Sequence, residues 1–209
     1  MDERPQSLGE ELANSVSHAM ALIAAAIAVP FLITAAMRNG NTVNVVGASV
    51  FATTMVLLYM ASMLYHALPH EGAKRFFRKL DHGAIYLFIA GSYTPFALGA
   101  SSSWSIVGLV WALAVIGVAL KATDRISHPV LSTGLYLAMG WIAAFAAGPL
   151  IERIATQGVV LLVAGGLAYM LGVVFFVLDS RLRYAHFVWH LFVVAGTACH
   201  FFAVLDYAT

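Results

Sequence analysis

Charge is what this sequence has least of. Eleven Lys and Arg and ten Asp and Glu make up 10% of the 209 residues, whereas a soluble globular domain carries about 25%. So few charges cannot cover a water-facing surface, which excludes the soluble classes. The formal net charge is only +1, which excludes a nucleic-acid binder that works through overall positive charge. The one cysteine, Cys199, excludes an intrachain disulfide and a thiolate metal cluster. Internal repeats and low-complexity stretches are also missing. What the chain does have is 61% hydrophobic residues and, unusually for such a background, eight histidines.

A membrane-crossing helix needs roughly 20 apolar residues. Seven such runs lie between charged breaks: Ser15–Met37, Val43–His66, His82–Ala100, Trp104–Lys121, His128–Gly148, Gln157–Asp179 and Tyr184–Asp206. They are continuous and rich in Ala, Leu and Gly rather than alternating, so a β-barrel fits poorly. The pattern predicts an all-α membrane protein, a single seven-helix transmembrane bundle over residues 1–209 with a short cytoplasmic segment at 1–14. The first run is long, follows Glu10 and Glu11 and is succeeded at once by a second. It is therefore expected to be retained rather than cleaved as a signal peptide. Gly165, Gly166 and Gly172 on the sixth run suit close helix packing and specify no oligomeric state.

The basic residues predict the orientation. With the N-terminus cytoplasmic, Arg4, Lys74, Arg75, Arg78, Lys79, Lys121, Arg125, Arg181 and Arg183 lie inside, and only Arg38 and Arg153 outside. That asymmetry is a positive-inside signal. The C-terminus is then outside, opposite to the orientation of G-protein-coupled receptors and rhodopsins. The last run also holds no lysine, which excludes a retinal Schiff base there. The expected location is the inner (plasma) membrane, crossed several times.

This topology gives the ionisable residues a depth. His66 ends the second run, Asp81 and His82 begin the third, His186 and His190 open the seventh, and His18 lies near the start of the first. All fall at the cytoplasmic side, and ionisable groups at such positions mark function. His186 and His190 are spaced i, i+4, which puts both imidazoles on one helical face about 6 Å apart. His66 can add a third nitrogen. Three imidazoles with an open position form the pattern of a catalytic zinc site. Asp81 would orient or deprotonate water, and Ser62, one turn before His66, would donate to a substrate oxygen or a ligand. Zinc is preferred for imidazoles beside a carboxylate, although iron, cobalt and nickel accept the same ligand type. Each residue alone has a plainer role. An isolated HxxxH pair can cap a helix or snorkel, Asp81 can be an N-cap, and Ser62 can bond a backbone carbonyl. His70 and His128 flank prolines and are read as solvated. His200 lies roughly 15 Å beyond His190 along the helix, which suits a hydrogen bond inside the bundle.

Three strings, Ala61-Ser62-Met63-Leu64-Tyr65-His66, Lys79-Leu80-Asp81-His82-Gly83-Ala84-Ile85-Tyr86 and Ala90-Gly91-Ser92-Tyr93-Thr94-Pro95-Phe96, together resemble the hemolysin III family. That family is the bacterial branch of the progestin and adipoQ receptor superfamily. Residues 9–18, the His186-Phe187-Val188-Trp189-His190 string and His200 also resemble it. The resemblance implies a seven-helix bundle with a cytoplasmic N-terminus. It also implies zinc held by His66, His186 and His190, with Asp81 on the bound water. The wider superfamily includes alkaline ceramidases, in which activated water attacks an amide, and Ser62 falls on their serine. His82 stands where adiponectin receptors carry an aromatic residue, and their long N-terminal domain is missing here, so neither hormone sensing nor ceramide specificity follows.

Two functions are therefore expected to compete. One is a zinc-dependent hydrolase of a lipid amide or ester, with membrane lipid as its substrate partner. The other is a non-enzymatic lipid-sensing or membrane-homeostasis protein whose zinc is structural. A lytic pore-former ranks last, because purely apolar helices cannot diffuse through water to a target membrane.

Overall fold

The computed structural model describes residues 4–38, 42–99, 104–125, 129–146 and 154–208. Among them are seven helices and no strand: α1 (Leu8–Arg38), α2 (Thr42–Ala67), α3 (Glu71–Gly99), α4 (Trp104–Ala122), α5 (Pro129–Ala146), α6 (Thr156–Val177) and α7 (Ala185–Tyr207). Five of these, α1, α2, α4, α6 and α7, are long and apolar enough to cross a membrane. The apolar part of α5 is shorter, and α3 begins with a basic stretch. The expectations for His128 and Arg153 fall outside the described residues.

Two helices start earlier than their apolar runs. α1 begins at Leu8 rather than Ser15 because Ser7 and Glu10 form a reciprocal cap. The Ser7 N–H donates to Glu10 Oε2 at 2.9 Å, and the Glu10 N–H reaches back to Ser7 Oγ at 3.4 Å. α3 begins at Glu71 rather than His82. His70, exposed as expected, is also a cap: its Nδ1 accepts the Ala73 N–H at 3.4 Å. Lys74, Arg75, Arg78 and Lys79 therefore lie on the first turns of α3, and Asp81 sits inside the helix instead of capping it.

The bundle is apolar on its outer surface and keeps its polar side chains at one end of an otherwise apolar interior or bonded to their own helices. Along α1, Ile23, Ile27 and Phe31 are more than 60% exposed, while Glu10, Asn14 and His18 on the same helix are buried. Water would penalise that distribution and hydrocarbon favours it. The larger core joins α1, α2, α3 and α7 through Leu32, Phe51, Leu58, Phe88 and Val204. A smaller one joins α3, α4 and α5 through Tyr86, Val110 and Met139. α3 belongs to both. Its own polar groups are absorbed locally: Ser92 and Thr94, next to the in-helix Pro95, donate to the Phe88 and Ala90 carbonyls at 2.7 and 2.8 Å.

Close approach of α2 and α3 requires glycine. A Cβ on Gly47 would lie 2.8 Å from the Pro95 Cα, and backbone cannot move aside as a side chain can. Of the sixth-run glycines, Gly165 and Gly172 face α7 tightly, whereas Gly166 has open space. Overpacking costs ~1–3 kcal/mol, so Gly47→Ala is expected to lower the melting temperature in detergent clearly, and Gly166→Ala to leave it unchanged.

Candidate metal centre

The end of α2 and the start of α7 meet at one end of the bundle. His66 lies in the last turn of α2, and His186 and His190 in the first turns of α7. All three are buried, at 5%, 8% and 1% exposure. One ring nitrogen from each lies within 4.8 Å of the other two. The ring centroids are 4.8–5.1 Å apart. The i, i+4 pair and the distant third histidine thus converge as their spacing and depth predict.

The other ring nitrogen of each histidine identifies the tautomer. His66 Nδ1 is 2.8 Å from Glu11 Oε2, and His186 Nδ1 is 3.0 Å from Asp179 Oδ2. His190 Nδ1 is 3.2 Å from the Asn14 carbonyl and 3.1 Å from Ser17 Oγ, whose own hydroxyl donates to that carbonyl. Carboxylates and carbonyls only accept, so each Nδ1 carries the proton and donates it. Every Nε2 then presents a lone pair toward the common centre, and that of His66 is buried with no hydrogen-bond partner. A buried acceptor left unpaired costs about 1–3 kcal/mol. Converging lone pairs are what a cation relieves, and imidazoles whose other nitrogen donates to a carboxylate or carbonyl are the usual ligands of zinc. The residues fit a metal ion.

Glu11, Asp179, Asn14 and Ser17 escape the apolar-run reading. Asp179 looks like the end of a span, and Glu11 like part of the short segment before the first one. The one available signal is that the chain spends two of its ten carboxylates at span boundaries beside its histidines.

Asp81 and Ser62 are buried, at 7% and 1% exposure. Neither belongs to the converging group, but both line a cavity of about 370 Å³ that also touches His18, His186 and His190. The Ser62 hydroxyl has no hydrogen-bond partner. From these groups the cavity continues between α3, α5, α6 and α7 past Phe96, Leu162 and Ile154, a largely apolar passage. Trp141 on α5 and Val163, Leu167 and Met170 on α6 line it and are also 41–55% exposed on the outer surface. The cavity is therefore open sideways.

The remaining histidines separate. His18 stacks on His190, with centroids 3.7 Å apart and planes 5° from parallel, and neither of its nitrogens has a partner. His82 lines the cavity. His200 donates through Nε2 to the Leu162 carbonyl at 3.3 Å, the intrabundle bond expected of it.

The sequence profile described as "Haemolysin-III related" matches residues 6–201. The chain is 39% identical over 210 residues to "Hemolysin-3" of Bacillus cereus, covering 99% of this chain and 95% of that one. It is 36% identical over 204 residues to "Hemolysin-3 homolog" of Bacillus subtilis, covering 96% and 95%. A human protein, "Monocyte to macrophage differentiation factor", is 27% identical over 210 residues, with 95% and 84% covered.

A ligand that binds only the folded state stabilises it by ~2.7 kcal/mol at a hundred times its Kd. Metal-stripped protein is therefore expected to melt several degrees higher when zinc is restored. His190→Ala should lose that rise, as measured by thermal unfolding in detergent.

Proposed function

The chain belongs to the haemolysin-III related family, and we propose that within it the protein is a zinc-dependent hydrolase of membrane lipid, cleaving an amide or ester. The observation that carries this is the convergence of three Nδ1-anchored imidazoles, two of which, His186 and His190, line an apolar, sideways-open cavity that also holds Asp81 and Ser62. Zinc on three imidazoles with a coordination position to spare supplies Lewis acidity and makes water acidic near neutral pH.

The chain's own residues supply the rest. The opening between α5 and α6 faces hydrocarbon, so an acyl chain reaches the cavity without crossing water. The apolar walls hold that chain and leave its polar junction beside the buried polar groups. Asp81 accepts the proton of the attacking water and returns it to the leaving nitrogen or oxygen as the carbonyl–heteroatom bond breaks, a task for which a buried carboxylate is suited. The Ser62 hydroxyl donates to the substrate carbonyl oxygen as it gains charge. Glu11 and Asp179 keep His66 and His186 in the tautomer that leaves Nε2 free.

The setting proposed is the inner (plasma) membrane, with all seven helices as spans and the N-terminus cytoplasmic. The basic ends of α3 and of the turn before α7 support that orientation, because they lie at the histidine end of the bundle.

One observation favours a structural zinc instead. His66 is on α2 and His186 and His190 are on α7, two helices whose backbones come close at few positions. A metal there would tie them. A structural ion would also be retained without any lipid being turned over.

Asp81→Asn decides between the two. Near one zinc per chain is expected in both wild type and variant. Hydrolysis across a panel of lipid amides and esters, followed by mass spectrometry, should fall by about 10²–10⁴-fold in the variant. Zinc-loaded wild type that cleaves none of the panel would leave the structural role standing. Unchanged turnover in Asp81→Asn would remove Asp81 from the chemistry.

A further inference from the structure

The histidines are oriented by the opening turns of α1 and by one residue clamped to them, rather than by their own helices. Glu11 accepts from His66, and Asn14 and Ser17 accept from His190. The third acceptor, Asp179, lies in the turn before α7. That turn is held by the segment that precedes α1. Arg4 grips Glu10 with both guanidinium nitrogens, at 2.9 and 2.6 Å, and reaches the Asp179 carbonyl at 3.5 Å. Glu10 Oε1 also accepts the N–H of Tyr184 at 3.0 Å. Tyr184, two residues before His186, has φ 59°, a left-handed conformation that side chains with a Cβ adopt at a cost of order 1–3 kcal/mol and hold only when their surroundings impose it. Its hydroxyl lies where a Cβ on Gly9 would be 3.0 Å away. On the other side, Lys74 of α3 donates to Glu11 Oε1 at 2.6 Å.

Resting on the reading of the three histidines as metal ligands, we propose that docking of residues 4–11 onto the 178–184 turn and binding of the metal are one coupled equilibrium, with Glu10 and Glu11 as positioning residues. Glu11 sets the His66 ring directly. Glu10 acts at one remove: it fixes Tyr184 and, through Arg4, the strand of turn that carries Asp179, and so sets the His186 ring. When the segment is undocked, two of the three rings lose the acceptor geometry that aims Nε2 at the centre. When metal is bound, the rings hold their acceptors and so hold the segment down. Coupling of this kind is reciprocal: the factor by which metal favours docking is the factor by which docking favours metal.

The test uses the full chain in detergent, stripped of metal and titrated with Zn²⁺ and Co²⁺ against a chelator. In wild type, saturating Zn²⁺ is expected to slow hydrogen exchange of the amides of residues 6–11 at least tenfold. Glu11→Gln should weaken Co²⁺ binding by about 10–100-fold, as loss of an orienting partner does, and shift the visible Co²⁺ bands. Glu11→Asp should recover part of both. Arg4→Ala, which touches no histidine, should weaken binding and free residues 6–11 by matching factors. Exchange that ignores Zn²⁺, or Arg4→Ala with wild-type affinity, overturns the coupling while leaving the metal site intact. Wild type that takes up neither ion overturns the metal reading and this one with it. Should Glu11→Gln fail to fold, the wild-type exchange comparison still decides.

Discussion

An imidazole buried in a membrane protein has two nitrogens to satisfy, and only one can serve a metal. The rest of this structure depends on where the other one goes. Each of the three convergent histidines sends its Nδ1 proton to an acceptor from a different part of the chain: Glu11, Asp179, and Asn14 with Ser17. Hydrocarbon offers no water to do this in their place. The carboxylates are therefore drawn partly inside too, with Lys74 on Glu11, and Arg4, Ser7 and Tyr184 on the buried Glu10 beside it. The early start of α1, its capping box and the left-handed Tyr184 all follow from that one requirement.

The apolar exterior and the inward turn of the polar side chains come from the same solvent. In water a core forms by hiding aliphatic side chains. Here Ile27 and Phe31 face outward, and hydroxyls such as those of Ser92 and Thr94 turn to carbonyls of their own helix. With little hydrophobic drive between helices, fit decides which of them touch. α2 and α3 approach through Gly47, and α6 and α7 through Gly165 and Gly172. Among the described residues α5 approaches α6 at few positions, and the partly exposed wall of the cavity, at Trp141, Val163, Leu167 and Met170, lies on these two helices.

Much of this was legible in the sequence, and for a simple reason. Charge breaks divide the chain into runs, the runs give depth, and depth places His66, His186 and His190 at one level before any coordinates exist. The helix class needs only composition. What could not be read is pairing across the bundle. Glu11 meets His66 over 55 positions and Asn14 meets His190 over 176, separations that carry no period. Asp81 was open to two roles because an acidic residue just before an apolar run has the look of a cap. His70 takes that role eleven residues earlier with an imidazole, a less common capping side chain. The cavity was invisible for the same reason as the pairings, since its walls come from six helices at once.

The three convergent imidazoles and their acceptors come from helices far apart in the sequence. α1 and α2 supply Glu11, Asn14, Ser17 and His66, while His186 and His190 lie in the last helix, α7. A chain emerging from the ribosome delivers its N-terminal elements first. Until α7 follows, then, the early helices hold one imidazole of the three and acceptors whose other histidine partners have yet to arrive. The three rings converge only when α7 is seated against α1 and α2, so their meeting marks a bundle whose first and seventh helices have found each other.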